Sequence, residues 1–137
     1  MKREVTCRLD GSDVIQTTKV LDDAGAIQSK NSVRLGDKTI VLSQVEAQVA
    51  EAKRDRDGIM SPKTSEPAPA ADGAPGDENV FWISGKTLYK NTIRRNAAGK
   101  VVTESTSNEG DWKGKMANAE ERLAELTTVR DAIAAAK

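Results

Sequence analysis

The chain has 137 residues, and its 21 Lys plus Arg balance 21 Asp plus Glu, so its formal net charge at pH 7 is zero. This balance excludes an overall field that would attract nucleic acid, an acidic membrane surface or an anionic substrate, so electrostatic binding must be local. Histidine is absent and Cys7 is the only cysteine, which excludes histidine-dependent catalytic pairs, Cys/His zinc sites and an intramolecular disulfide.

The first segment of the chain contains short alternating runs broken by glycine: VTCRLDG, DVIQTTKVLDDAG and AIQSKNSVRLG. Alternation rich in Val, Ile and Thr predicts three antiparallel strands joined by tight turns. Gly25 is expected to take the left-handed conformation that closes the second turn.

A helix is predicted after the third strand. Asp37 is placed to accept hydrogen bonds from its first free amides, so it is the expected N-cap. Leu42, Val45, Val49 and Ala52 then form an apolar stripe. This stripe either packs on its own sheet, the interpretation that we favour, or forms a seam with another helix.

All four prolines lie between residues 62 and 75, in a stretch almost without large apolar side chains. Such a stretch repays little of its ordering entropy by burial, so residues 61–78 are predicted to be a flexible Pro/Ala-rich linker.

The rest of the chain repeats the first part. An ungapped shift of 74 positions aligns residues 7–59 with 81–133 and gives 12 identities over 53 positions. The identities include the turn glycines Gly25 and Gly99 and the cap residues Asp37 and Asp111. This self-similarity predicts an internal duplication.

The predicted fold is therefore α+β, a tandem duplication of a three-stranded antiparallel meander followed by a helix. The first repeat is assigned to residues 1–60 and the second to residues 79–137. A repeat of this size buries little surface, so neither half is expected to be very stable alone, and pairing of the two copies as a pseudo-dimer is the economical arrangement.

The sequence offers little for catalysis, and we expect no enzyme activity, no cofactor and no metal. The carboxylate pairs Asp22–Asp23 and Glu120–Glu121 fit a solvated turn and a polar helix face better than an acid and base. Cys7 aligns with Phe81, so a half-buried strand position explains it better than a reactive thiol.

The four aromatic residues all lie in the second repeat. Phe81 and Trp82 are adjacent on a strand and must face opposite ways. Trp82, Tyr89 and Trp112 are candidates for binding a partner, and the alternative is that they complete the core of their repeat. Trp112 is expected against the sheet or at the junction between copies, and Lys38, at the matching position, in solvent.

Residues 86–100 contain five basic residues and no acidic one. On a hairpin they form either a solvated surface, a contact for an acidic protein surface, or a phosphate-binding patch beside Tyr89. The acidic residues Asp13, Asp22 and Asp23 of the first repeat offer one acidic surface. The five basic candidates are Lys86, Lys90, Arg94, Arg95 and Lys100.

These observations predict a non-enzymatic protein that binds a protein partner or itself, without a small-molecule substrate. The alternative is a small nucleic-acid-binding module that uses the basic hairpin. Small size, duplication, absence of histidine and neutral charge resemble accessory proteins of phage particles in a general way, through no motif. The start of the chain lacks the apolar stretch of a signal peptide, and no window approaches the ~20 apolar residues of a membrane span. We therefore expect a soluble protein located in the cytoplasm or in a virion.

Overall fold

The computed structural model describes residues 1–137 and has two three-stranded antiparallel sheets, each followed by a long helix. Sheet 1 has the strand order β1-β2-β3, and sheet 2 has the order β4-β5-β6. The predicted α+β fold, with its duplicated meander and helix, is confirmed. The elements in chain order are β1 (Lys2–Asp10), β2 (Asp13–Leu21), β3 (Ile27–Asp37), α1 (Lys38–Met60), β4 (Gly76–Ser84), β5 (Thr87–Arg95), β6 (Val101–Asp111) and α2 (Trp112–Ala134).

The duplication is complete at the level of elements. Every element of the second repeat has the same length as its counterpart in the first and begins 74 residues later. The irregularities are also repeated, because the β2–β3 pairing shifts register between Val14 and Ile15, and the β5–β6 pairing shifts between Leu88 and Tyr89. The shared ancestry predicted from 12 identities therefore extends to details of the backbone.

The turns that close the second hairpin of each repeat have the same hydrogen bonds. In the first repeat, the Asp22 carboxylate accepts from the amides of Ala24 and Ala26, both at 2.9 Å. In the second, the Asn96 side chain accepts from the amides two and four residues on. Gly25 and Gly99 have φ values of 85° and 78°, which confirms the predicted left-handed conformation.

The helices begin where their caps predict. The Asp37 carboxylate accepts from the amides of Thr39 and Ile40 at 3.0 and 3.3 Å. The Asp111 carboxylate accepts from the amide of Gly114 at 3.0 Å. Both aspartates satisfy amides that have no partner within the helix.

The chain divides into two compact units that differ from the two repeats. The first unit comprises residues 1–52 and 122–137, so it contains sheet 1, the first part of α1 and the last part of α2. Its core is formed by Val14 of β2, Val41 of α1 and Ile133 of α2. Cys7, Leu9, Leu42, Val45 and Val129 pack around this core.

The second unit comprises residues 53–121 and contains sheet 2, the last part of α1 and the first part of α2. Its core is formed by Ile59 of α1, Phe81 of β4 and Leu88 of β5. Ile83, Trp112, Met116 and Ala119 pack around this core.

The apolar stripe of each helix is thus divided between the two sheets. The first part of each helix packs on the sheet of its own repeat, as we favoured from the sequence. The last part of each helix lies in the unit built on the other repeat's sheet, which the sequence analysis did not predict. Each sheet is therefore covered by helical residues from both repeats. Pairing of the copies as a pseudo-dimer stays a prediction.

The proline-rich segment makes specific contacts with sheet 2. Lys63 pairs with β4, since its amide donates to the carbonyl of Phe81 at 3.0 Å and its carbonyl accepts from the amide of Ile83 at 2.8 Å. Further along, the amide of Gly73 donates to the carbonyl of Gly99 at 2.9 Å. β4 begins at Gly76, so it includes the last three residues of the predicted linker. The flexibility of this linker stays a prediction.

Candidate interaction surfaces

Each sheet has an inner face, which carries the core residue of its central strand, and an opposite outer face. Because side chains alternate along a strand, Leu88 lies on the inner face of sheet 2 and Tyr89 on the outer face. Phe81 belongs to the core of the inner face, and Trp82 pairs with Tyr89 on the outer face. This confirms that Phe81 and Trp82 face opposite ways.

Trp82 and Tyr89 form a stacked pair with ring centroids 4.4 Å apart and an interplanar angle of 15°. Trp82 is only 9% exposed, and its indole N–H donates to Asn91 Oδ1 at 3.0 Å. Asn91 is itself 3% exposed and also accepts from the Thr106 hydroxyl at 2.8 Å. These contacts give Trp82 a structural environment, and Tyr89 is the more accessible member of the pair.

Trp112 and Lys38, the first residues of the two helices, have analogous contacts. The Trp112 indole N–H donates to the carbonyl of Ile59 at 2.6 Å, near the end of α1. The Lys38 ammonium donates to the carbonyls of Ala134 and Ala136 at 3.1 and 2.9 Å, at the end of α2. The expectation that Lys38 remains in solvent was wrong, because it satisfies carbonyls that the helix leaves without partners.

Three of the five basic candidates in residues 86–100 form ion pairs inside the second compact unit. Lys90 lies 3.6 Å from Glu109. The other two pairs are Arg94 with Asp77 at 3.6 Å and Arg95 with Glu78 at 3.1 Å. No ion pair involves Lys86 or Lys100. These acidic partners lie outside residues 86–100, on β4 and β6, so the composition of that window did not reveal them.

The five basic residues do not form one patch. Lys90 and Arg94 lie on the inner face of β5, and Arg95 lies on the outer face. Lys86 is in the turn before β5 and Lys100 is in the turn after it, at opposite ends of a nine-residue strand. The structure therefore does not bring these cations together beside Tyr89.

The Glu109 carboxylate is a small electrostatic centre on β6. It accepts a hydrogen bond from the Ser107 hydroxyl at 2.6 Å and lies 3.8 Å from Lys115 as well as close to Lys90. The Ser107 hydrogen bond, helped by the two lysines, lowers the pKa of Glu109. This carboxylate is held ionised and stabilises the charges around it.

The acidic residues of the first repeat have partners in that repeat. Asp13 and Asp10 both pair with the Arg34 guanidinium, and Asp22 accepts the turn amides and a hydrogen bond from Gln28 at 2.9 Å. Asp23 lies 3.5 Å from the amino group of Met1. Burial raises the pKa of the Cys7 thiol, which favours the neutral form and matches its predicted place at a half-buried strand position.

The outer face of sheet 1 carries cations that the sequence analysis did not single out. Lys19 on β2 lies directly opposite Lys30 on β3, and Arg8 on β1 lies opposite Ile15 on β2. None of these three cations forms an ion pair. The signal for them was available, since alternation and the repeat alignment place all three on one face.

Strand β3 forms an edge of sheet 1 and is exposed over its first nine residues. Its exposed residues include Ile27, Val33 and Leu35, which are 55%, 47% and 36% accessible. An edge strand has a row of backbone groups without a neighbouring strand, and such edges pair readily with another chain.

No protein-family model matches the chain, and no curated protein matches it in sequence. Neither helix combines the length and the apolar composition that crossing a membrane requires.

Proposed function

We propose that this protein acts as a non-enzymatic adaptor or assembly component that binds a protein partner, or a second copy of itself, through the edge strand β3. The observation that carries the proposal is the exposure of Ile27, Val33 and Leu35 on a long strand at the edge of its sheet. A partner strand added there would gain backbone hydrogen bonds and cover these apolar side chains. We place this role in the cytoplasm or in a phage particle, in line with the general resemblance noted from the sequence.

The test compares complexes formed by the full chain and by Val33→Lys, in size exclusion with light scattering and in crosslinking of the source cells. A charge on an edge strand opposes strand addition, so Val33→Lys is expected to abolish complexes that the unmodified chain forms. Met60→Lys is the control, because Met60 is also 47% exposed but lies at the end of α1. A chain that stays monomeric and uncrosslinked, or complexes that survive Val33→Lys, would refute the proposal.

The nucleic-acid alternative has less support. Contacts to phosphate need cations that are not already bound to carboxylates. Three of the five basic residues in 86–100 are paired with carboxylates. Binding of mixed-sequence DNA that falls steeply with salt and is lost on replacing Arg94 and Arg95 would restore this alternative.

A further inference from the structure

The segment after α1 pairs with the edge strand β4 and then contacts outer-face residues of sheet 2. After Lys63 pairs with β4, the amide of Ala70 donates to the Glu104 carboxylate at 3.1 Å. The segment reaches the β5–β6 turn at Gly73, whose amide donates to the carbonyl of Gly99. Ile93, an outer-face residue of this sheet, is only 5% exposed. The outer face of a repeat therefore offers polar groups that bind the backbone of a chain segment.

The outer face of sheet 1 has the same backbone and a different set of side chains. Lys30 occupies the position of Glu104, so a cation stands where sheet 2 presents a carboxylate to the bound segment. Gly25 occupies the position of Gly99. A Cβ added at Gly99 would lie 2.2 Å from the carbonyl oxygen of Gly73, whereas one added at Gly25 would meet nothing within 4 Å. Gly25, which matches the residue that Gly73 contacts on sheet 2, is thus exposed on sheet 1.

The three cations of this face form no ion pair, whereas its carboxylates, including Glu4 opposite Lys19, pair with other residues. Lys19 and Lys30 are opposed on neighbouring strands, and like charges in this position destabilise a sheet. Next to them, the Thr17 and Ser32 hydroxyls form a 2.9 Å hydrogen bond and offer further polar contacts. A carboxylate between the two lysines would relieve their repulsion.

We propose that the outer face of sheet 1 is a docking surface for an extended acidic segment of a protein partner. Lys19, Lys30 and Arg8 would contact its carboxylates, and the carbonyl of Gly25 would accept one of its backbone amides. A peptide fits better than a nucleic acid, because the matching face bonds to the backbone of a chain segment and because the cation-bearing strands β1–β3 have no aromatic side chain on which a base would stack. This inference rests on the proposed function and names the chemistry of the partner.

The test measures fluorescence anisotropy of a labelled alternating Glu-Ala peptide on the full chain, at low and at physiological salt. The double variant Lys19→Ala/Lys30→Ala is expected to bind roughly tenfold more weakly, as the loss of two exposed charge contacts implies. Lys90→Ala/Arg94→Ala is the matched control, because it removes the same charge from cations that already have acidic partners. Its affinity is expected to match that of the unmodified chain, and NMR shifts on peptide binding are expected at Thr17 and Ser32.

Absence of peptide binding, or equal weakening in the two double variants, would overturn the inference. Tighter binding of an oligothymidylate through Lys19 and Lys30 would also overturn it, in favour of a nucleic-acid surface. The proposed function and the acidic docking surface are refuted by different results. If Val33→Lys abolishes protein complexes but the Glu-Ala peptide does not bind, only the acidic docking surface is refuted.

Discussion

At the scale of single residues, the duplication allows matching residues of the two repeats to be compared within one protein. Asp22 and Asn96 occupy matching turns and accept the same two backbone amides. The carboxylate and the amide therefore perform the same structural role, but only the carboxylate titrates. Such pairs separate the effect of charge from the effect of shape.

The Asp22 turn is expected to depend on pH. The backbone hydrogen bond from Ala26, supported by Gln28 and the other turn amides, lowers the pKa of Asp22. A lowered folded-state pKa stabilises the fold above the unfolded value of about 3.9, and this contribution is lost as the pH falls through the folded pKa. An NMR titration of the Asp22 carboxyl checks the direction of the shift.

The matched variant is Asp22→Asn, which copies Asn96. It is expected to keep the turn and to make the free energy of unfolding less dependent on pH in the acid range, as measured by urea unfolding. An Asp22 pKa at or above the ordinary value, or an unchanged pH dependence in Asp22→Asn, would contradict this account.

At the scale of elements, the packing of α1 on β4 requires a glycine inside a helix. A Cβ at Gly58 would lie 2.8 Å from Cδ2 of Phe81. The matching residues in the first compact unit are Ala132 and Cys7. The compact unit with the large aromatic thus has the residue without a side chain, and the compact unit with the small thiol has alanine.

Gly58→Ala is expected to destabilise the protein by about 1 kcal/mol. Overpacking against Phe81 costs about 1–3 kcal/mol, which outweighs a gain of about 1 kcal/mol in helix propensity. In a Phe81→Cys background the same substitution should become stabilising, because the clash is removed. Chemical denaturation of the two single variants and the double variant measures this coupling. Ala132→Gly, the reverse change, should destabilise, and a stabilising Gly58→Ala with Phe81 in place would refute the argument.

At the scale of the whole molecule, each compact unit contains residues of both repeats. The core around Val14 includes Ile133 of α2, and the core around Leu88 includes Ile59 of α1. A repeat separated from the other would lose helical residues that cover its sheet. Removing a single buried Ile or Leu side chain costs about 2–5 kcal/mol, a large part of the stability of a small protein.

Fragments 1–75 and 76–137 are therefore expected not to fold as monomers when expressed separately. Mixing them should restore the cooperative unfolding and the circular dichroism of the full chain. A fragment of residues 76–137 that remains monomeric and unfolds cooperatively would show that the exchange of helix ends is dispensable. A fragment that dimerises would agree with the prediction, because its partner would then supply the missing helix end.

The sequence by itself determined the local structure and the duplication. The alternation of apolar residues, the turn glycines Gly25 and Gly99 and the caps Asp37 and Asp111 all act within a few residues of the chain, so their consequences were readable without the fold. Tertiary structure alone decided the remaining features.

An apolar helix stripe has the same period whichever sheet it covers, so the sequence did not assign the ends of α1 and α2 to the other repeat's sheet. The partners of Lys38, Lys90 and Arg95 depend on strand register and on helix ends that are distant in the chain. The outer face of sheet 2 bonds to a proline-rich segment with little apolar surface, which composition alone indicates as a linker. The outer face of sheet 1 was distinguished from it only when the partners of its cations were known.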